Sequence, residues 1–131
     1  MNAINRLLHI GVVAFAQPAL LMIGDTATLL WLATLISSRS VVHFDKCAEV
    51  RLMNVVLRVV PTAGVGRLSR TSDTFTLEVS PSEAIQFAEQ LNALAEAAGP
   101  KHIYLDPATN TANVDVLVSK GEYDPENIFS N

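Results

Sequence analysis

The sequence has little of what marks a disulfide scaffold or a disordered chain. Cys47 is the only cysteine, so no intramolecular disulfide can form, and this favours a reducing compartment. Charged residues make up only 17% of the chain and apolar residues 50%, which argues against disorder. A chain of 131 residues is long enough for one domain with a core that needs no metal or disulfide. We therefore expect a single domain over residues 1–131.

Long uninterrupted apolar runs are also missing. The most apolar stretch, residues 7–23, is broken by His9, Gln17 and Pro18, whereas a membrane span needs about 20 apolar residues. We therefore predict no transmembrane helix. The same stretch has some features of a secretory signal, so a cytoplasmic location is expected, with export as the alternative if residues 1–16 act as a signal peptide. The preferred interpretation is an apolar strand near residues 9–16.

Complete motifs for catalysis, metals or cofactors are absent from the sequence. The two glycines of Gly64-Val65-Gly66 do not complete a dinucleotide fingerprint, and there is no phosphate-binding loop. His102, Tyr104 and Asp106 alternate on a predicted strand and would share a face, but no third ligand has metal-site spacing. We predict no enzyme activity, no metal and no cofactor. A small hydrolase or ligand-binding domain using these three residues is the least favoured alternative.

The charge differs in sign between the two parts of the chain. Residues 1–70 carry seven Lys or Arg against three acids, a sum of +4, and residues 71–131 carry two lysines against ten acids, a sum of −8. The arginines at 51, 58, 67 and 70 are not interleaved with aromatic residues, so nucleic-acid binding is not expected. An acidic surface attracts a basic protein partner, although acids also serve solubility alone.

Two segments of the chain repeat each other at a constant offset of 55 residues, so that Leu30 aligns with Ile85 and Ala33 with Ala88. After an insertion, residues 42–45 (VHFD) lie over residues 103–106 (IYLD). The pattern predicts two β-α-β-β halves, about 9–62 and 74–120, followed by an acidic tail at 121–131. Residues 61–73 contain Pro and Gly and are interpreted as a linker or long hairpin between them.

Both predicted helices have recognisable start signals. Ser80-Pro81-Ser82-Glu83 is a capping box with proline in the first turn, and Asp25 is suited to cap the first helix. The first helix is apolar on almost every side, which indicates two buried faces. Its residues Leu30, Trp31 and Leu35 point away from the predicted sheet-facing side, toward the N-terminal segment, another subunit or a target protein.

These observations predict an α+β fold: a two-layer sandwich in which a mostly antiparallel sheet of six or more strands carries two helices on one face. The two halves are expected to be a pseudo-duplication.

Residues 77–107, with a strand, a capped Leu- and Ala-rich helix and a second strand ending in HIYLD, resemble small bacterial immunity proteins of polymorphic toxin systems, namely immunity family thirty-two. Residues 20–37 with the VHFD segment resemble the same unit more distantly. The resemblance implies a protein that binds a cognate toxin and blocks it without catalysis.

The leading functional hypothesis is therefore an immunity or inhibitor protein that occludes a basic partner. The residues expected to bind the partner are acids that steer it and tyrosines that anchor it: Tyr104, Asp106, Asp115, Glu122, Tyr123, Asp124 and Glu126. The alternative is a homo-oligomeric structural or accessory protein, such as a homodimer, that associates through Leu30, Trp31 and Leu35.

Overall fold

Ten strands and three helices make up the computed structural model, which describes residues 7–129. Arg6, the start of the candidate signal segment and the last two tail residues lie outside this range. The strands are β1 (Leu8–Val13), β2 (Ala19–Ile23), β3 (Val42–His43), β4 (Val50–Leu52), β5 (Val56–Pro61), β6 (Arg67–Thr71), β7 (Thr74–Val79), β8 (Lys101–Leu105), β9 (Thr109–Asn110) and β10 (Asp115–Lys120). The helices are α1 (Thr26–Ser37), α2 (Pro81–Glu96) and α3 (Pro125–Ile128).

The fold is an α+β sandwich, as predicted, but its strands form two sheets. Sheet A has the order β4-β1-β2-β10-β8, and sheet B has the order β3-β5-β7-β6-β9. Half of the eight strand pairings in the described chain are parallel, so a single, mostly antiparallel sheet is not what forms. The reason is an exchange between the two halves. The β1–β2 hairpin pairs with β10 and β8 from the second half, and the β6–β7 hairpin pairs with β5 and β3 from the first.

Each half therefore contains a hairpin, a helix and three further strands. In both halves the helix follows directly on the strand that pairs in parallel with the other half, β2 with β10 and β7 with β5. The two helices pack against each other, and one main core draws side chains from both helices and both sheets. The intertwining makes each sheet depend on both halves, which favours cooperative folding of the whole domain.

α1 and α2 begin at the caps that the sequence predicts, whereas the short α3 was not predicted. The Asp25 carboxylate accepts from the backbone N–H of Thr28 at 2.9 Å, and the Ser80 hydroxyl accepts from that of Glu83 at 3.2 Å. At the other end of α2, Lys120 Nζ donates to the carbonyl oxygens of Ala95, at 3.1 Å, and Ala97. This ammonium satisfies carbonyls that the helix leaves unpaired and complements the negative end of its dipole.

Two parts of the chain form strands whose bounds the sequence did not predict. Residues 61–73 were expected to be a linker or long hairpin, and they contain β6, which forms an antiparallel hairpin with β7. Only Leu68 of β6 is buried, so its polar composition hides the strand signal. Residues 50–61, which end the predicted first half, contain two strands, β4 and β5, which belong to different sheets. Between them, the Asn54 side chain pairs with the backbone of Val12, through its oxygen at 2.9 Å and its amide nitrogen at 3.2 Å.

Sheet A has an apolar outer face as well as an apolar inner one. Val13, Ala19, Leu21, Ile23 and Leu117 form a second buried cluster on this outer face. It is covered by Phe15 and by three residues of the tail, Tyr123, Ile128 and Phe129. β2 is consequently buried along its whole length, and the tail is held against the body of the domain. No helix among the described residues is long and apolar enough to cross a membrane.

Candidate partner-binding surface

The outer edge of sheet A brings most of the predicted partner-binding residues together. β8 is the last strand of the sheet, and its Tyr104 lies opposite Leu117 of β10, on the outer face. Since side chains alternate along a strand, His102 and Tyr104 lie on the same face as Asp115 of β10. Asp106 follows the end of β8 and borders the cleft beside α2. The tail continues from β10 over this face. We call the resulting set the acidic surface: Tyr104, Asp106, Asp115, Glu122, Tyr123, Asp124 and Glu126.

The acids of this surface differ in how free they are. Asp106 and Glu126 are exposed, and Asp115 is half-buried. The Asp124 carboxylate accepts from the backbone N–H of Glu126 at 3.0 Å and from the Asn127 amide at 2.9 Å, so it caps α3 while remaining exposed. These carboxylates stay in contact with solvent and add to the negative potential above the sheet.

Glu122 is the most constrained acid of the acidic surface. Its Oε1 accepts from the Ser119 hydroxyl at 2.9 Å, and its Oε2 lies 2.9 Å from His102 Nδ1. The Ser119 side chain is fully buried, so this bond also satisfies a polar group that has left water. Glu122 therefore fixes the start of the tail to β10 and β8. His102 and Ser119 were not predicted to position Glu122. The one sequence signal for this role is the alternation of His102 with Tyr104, which places the two side chains on the same face of β8.

The two tyrosines have different environments. Tyr104 is 46% exposed, and its ring meets the His102 ring edge-on with centroids 5.8 Å apart. Tyr123 is half-buried, with its ring centroid 5.8 Å from that of Phe15, and it belongs to the cover of the outer face. Tyr104 is thus the aromatic side chain that a partner reaches directly, whereas Tyr123 mainly holds the tail in place.

The cations of the second half point away from the acidic surface. Lys101 and Lys120 lie opposite each other on β8 and β10, in register with the side chains that face the main core. The Lys120 ammonium is engaged with the end of α2. Arg51 pairs in register with His9, on β4 at the opposite edge of the sheet. Asp115 of β10 and Glu122 just after β10 are therefore on the side of sheet A away from Arg51, whereas the tail carries Glu126 across to His9 of β1.

His9 and Cys47 have shifted pKa values, but neither belongs to the acidic surface. Burial lowers the pKa of His9, and the nearby Arg51 charge lowers it further, while Glu126 acts in the opposite direction. Burial raises the pKa of the Cys47 thiol, and Glu49 and Asp45 add to this shift. A thiol with a raised pKa holds little thiolate near neutral pH, which makes Cys47 a poor nucleophile.

Two surface clefts lie where parallel strands lead into the helix N-termini. One, of about 430 Å³, is next to α1 and is lined by His9, Asp25 and Lys120 among others. The other, of about 660 Å³, is next to α2 and is lined by Gly64, Gly66 and Asp106 among others. Neither cleft is lined by His102 or Tyr104. Within residues 7–129, no group of three or more His, Cys, Asp or Glu side chains is arranged to hold a metal ion.

The buried carboxylate of Glu83 occupies the α2 cleft. It accepts from the backbone N–H of Ser80 at 3.1 Å and from that of Ala108 at 3.0 Å. A side chain at Gly66 would collide with this carboxylate. Glu83 therefore ties the start of α2, the loop before β6 and the turn after β8 into one structure, and it places a negative charge where an anionic ligand would otherwise meet the helix terminus.

The residues proposed for self-association are only partly accessible. Leu30 is 37% exposed, whereas Trp31 and Leu35 are half-buried and pack against the main core. The Trp31 ring meets Phe44 edge-on with centroids 6.5 Å apart. The two faces of α1 that the sequence predicts to be buried are thus covered in large part by the chain itself.

Comparison with protein-family models, curated proteins and solved structures finds no match for this chain.

Proposed function

We propose that the protein binds a basic protein partner through the acidic surface and that it acts as an inhibitor or immunity protein by occluding that partner. The observation that carries this proposal is the separation of charge at the outer edge of sheet A. Five carboxylates lie on or beside β8, β10 and the tail, while both lysines of this half are on the opposite side of their strands. Such a separation speeds the encounter with a positively charged surface and disfavours acidic partners.

The surface also has the features of a protein interface beyond its charge. Tyr104 offers an exposed aromatic ring on the edge strand β8, and the His102 ring meets it edge-on. Glu122 and Asp124 are held by hydrogen bonds, so little side-chain entropy is lost when a partner engages them. Aromatic anchors surrounded by steering charges are typical of tight complexes. The resemblance of residues 77–107 to immunity proteins points to the same role.

The experiment that tests this proposal is affinity capture of the tagged protein from its native cells, with two variants of equal net charge. In the first variant, Asp106, Glu122, Asp124 and Glu126 are changed to Asn or Gln. In the control variant, four acids elsewhere are changed in the same way: Asp45, Asp73, Glu78 and Glu96. The amides keep the size of the side chains and the cap of α3, because Asn caps helices as Asp does.

We expect the unmodified protein and the control variant to capture the same basic protein in a stoichiometric amount, and the first variant to lose at least nine-tenths of it. The captured protein is expected to lose its own activity when it is bound. Equal capture by both variants would reject the acidic surface as the binding site.

Self-association through α1 is a second candidate. The observation in its favour is the exposure of Leu30, with Val41 also exposed, at 54%, beyond the end of the same helix. In this case light scattering at micromolar concentration gives the mass of a dimer or larger assembly, and Leu30→Glu returns it to that of a monomer. A monomeric mass for the unmodified protein rejects this candidate.

A further inference from the structure

The two sheets have four edges in the described chain, and they are not equally protected. β3 and β9 have two residues each and β4 has three, whereas β8 has five and pairs with β10 along all of them. Very short edge strands are a common protection against unwanted strand pairing. β8 lacks this protection. It also contains no proline, since Pro100 and Pro107 lie just outside it.

One side chain reaches the backbone of β8 from outside the sheet. The Gln90 amide, on α2, donates to the carbonyl oxygen of Tyr104 at 3.4 Å. The other end of the same side chain is unsatisfied, because Gln90 Oε1 is buried and has no hydrogen-bond partner among the described residues. A buried acceptor without a donor is costly. The 3.4 Å hydrogen bond from the Gln90 amide to the Tyr104 carbonyl is long and therefore weak. A backbone donor from another strand could replace it.

We propose that β8 binds an extended, basic segment of the partner by strand addition, with the Tyr104 carbonyl as one of the backbone acceptors. This inference rests on the proposed function, because the charge of the segment follows from the acidic surface. Strand addition supplies affinity through main-chain hydrogen bonds and specificity through alternate side chains. Every second side chain of an added strand would lie on the outer face, beside His102 and Tyr104 and close to the Glu122 carboxylate that His102 contacts, and those positions suit lysine or arginine. The side chains between them would lie on the side of Ile103, which is apolar and half-buried.

The test uses synthetic peptides as probes and amide resonances of the isotope-labelled full-length protein as the readout. The first peptide has ten residues of alternating lysine and valine with blocked ends. The second is the same peptide with N-methyl groups on two adjacent central residues, so that both of its hydrogen-bonding edges are interrupted. The third replaces lysine with glutamate.

We expect the first peptide to shift the resonances of residues 101–106 and of Gln90, the N-methylated peptide to bind at least ten times more weakly, and the acidic peptide to leave the spectrum unchanged. Equal binding of the methylated peptide would overturn strand addition, since charge alone would then carry the contact. Shifts confined to other surfaces, or no shifts with any peptide, would overturn β8 as the site.

A pair of protein variants repeats the test with the captured partner. Tyr104→Ala removes the aromatic side chain and keeps the backbone N–H, whereas Tyr104→Pro removes both. Strand addition is supported if Tyr104→Pro binds the partner at least ten times more weakly than Tyr104→Ala while its thermal unfolding is unchanged. Equal affinities of the two variants contradict it. If the proline variant unfolds, the peptide result decides. The charge variants test the proposed function separately from strand addition, because they measure binding of the partner to the acidic surface whether or not β8 takes up a strand.

Discussion

The ring of Phe129 lies directly on the backbone of Gly11. A Cβ atom at Gly11 would be 2.7 Å from two carbons of the Phe129 ring, well inside van der Waals contact. This contact places the end of the tail on the middle of β1, over the outer face of sheet A. The acidic surface depends on it, because the same tail carries Glu122, Asp124 and Glu126.

Replacing Gly11 with alanine tests this contact. The added methyl group displaces Phe129 from the sheet, and we expect a loss of about 1–3 kcal/mol in the free energy of unfolding, as for other overpacked sites. Urea denaturation followed by circular dichroism measures it. Gly64→Ala is the matched control, because a Cβ there meets nothing closer than 3.8 Å, and its effect is expected to stay below about 0.5 kcal/mol. Equal effects of the two substitutions would show that Phe129 does not need the glycine.

A second prediction concerns Glu83, the buried carboxylate that joins three segments. Glu83→Ala leaves the backbone N–H groups of Ser80 and Ala108 without their acceptor, and we expect a loss of about 1–3 kcal/mol in unfolding free energy. Glu83→Gln keeps an oxygen acceptor and is expected to lose less. Glu89→Ala, at an exposed position of the same helix, is the control. Denaturant unfolding ranks the three variants by their loss of unfolding free energy. A loss for Glu89→Ala as large as that for Glu83→Ala would contradict the role of Glu83 in joining the three segments.

Much of the fold follows from local signals in the sequence. The capping boxes define where α1 and α2 begin, and the alternation of Phe75, Leu77 and Val79 defines β7. The exchange of hairpins between the halves was not predictable from these signals, because β2 pairs in parallel with β10 near the other end of the chain and β7 pairs in parallel with β5 rather than only with the adjacent β6. Periodicity reports which face of a strand is buried and carries no information on the neighbour it chooses.

The acidic surface was only partly predictable, because some of its contacts also join residues that are far apart in the sequence. The excess of acids after residue 70 is visible in the sequence, and the alternation along β8 places Tyr104 on one face with His102. The roles of Glu122 and Tyr123 follow only from the path of the tail. Glu122 pairs with His102, twenty residues away, and Tyr123 meets Phe15 near the start of the chain. Such distant contacts have no signature in a single sequence.

A third prediction concerns the pH dependence of stability. The pKa of His9 is lowered in the folded protein by burial and by Arg51, so the folded state binds its proton less readily than the unfolded chain, where the pKa is about 6.5. Protonation therefore favours unfolding, and the contribution of His9 to stability falls as the pH drops below about 6.5. We expect the free energy of unfolding, measured with urea, to fall more between pH 7.5 and pH 5.0 for the unmodified protein than for His9→Gln. His43→Gln, at an exposed position, should keep the pH dependence of the unmodified protein. An unchanged pH dependence in His9→Gln would contradict the assignment.

The most direct test of the central claim is the association rate constant of the protein with its captured partner, measured at about 50 and 500 mM salt. If the acidic surface steers a basic partner, the rate falls at least ten-fold at high salt, because the Debye length contracts several-fold over this range. The variant neutralised at Asp106, Glu122, Asp124 and Glu126 should associate slowly at both concentrations, while the variant neutralised at Asp45, Asp73, Glu78 and Glu96 behaves as the unmodified protein. An association rate that is independent of salt, and equal for the two variants, would contradict the account.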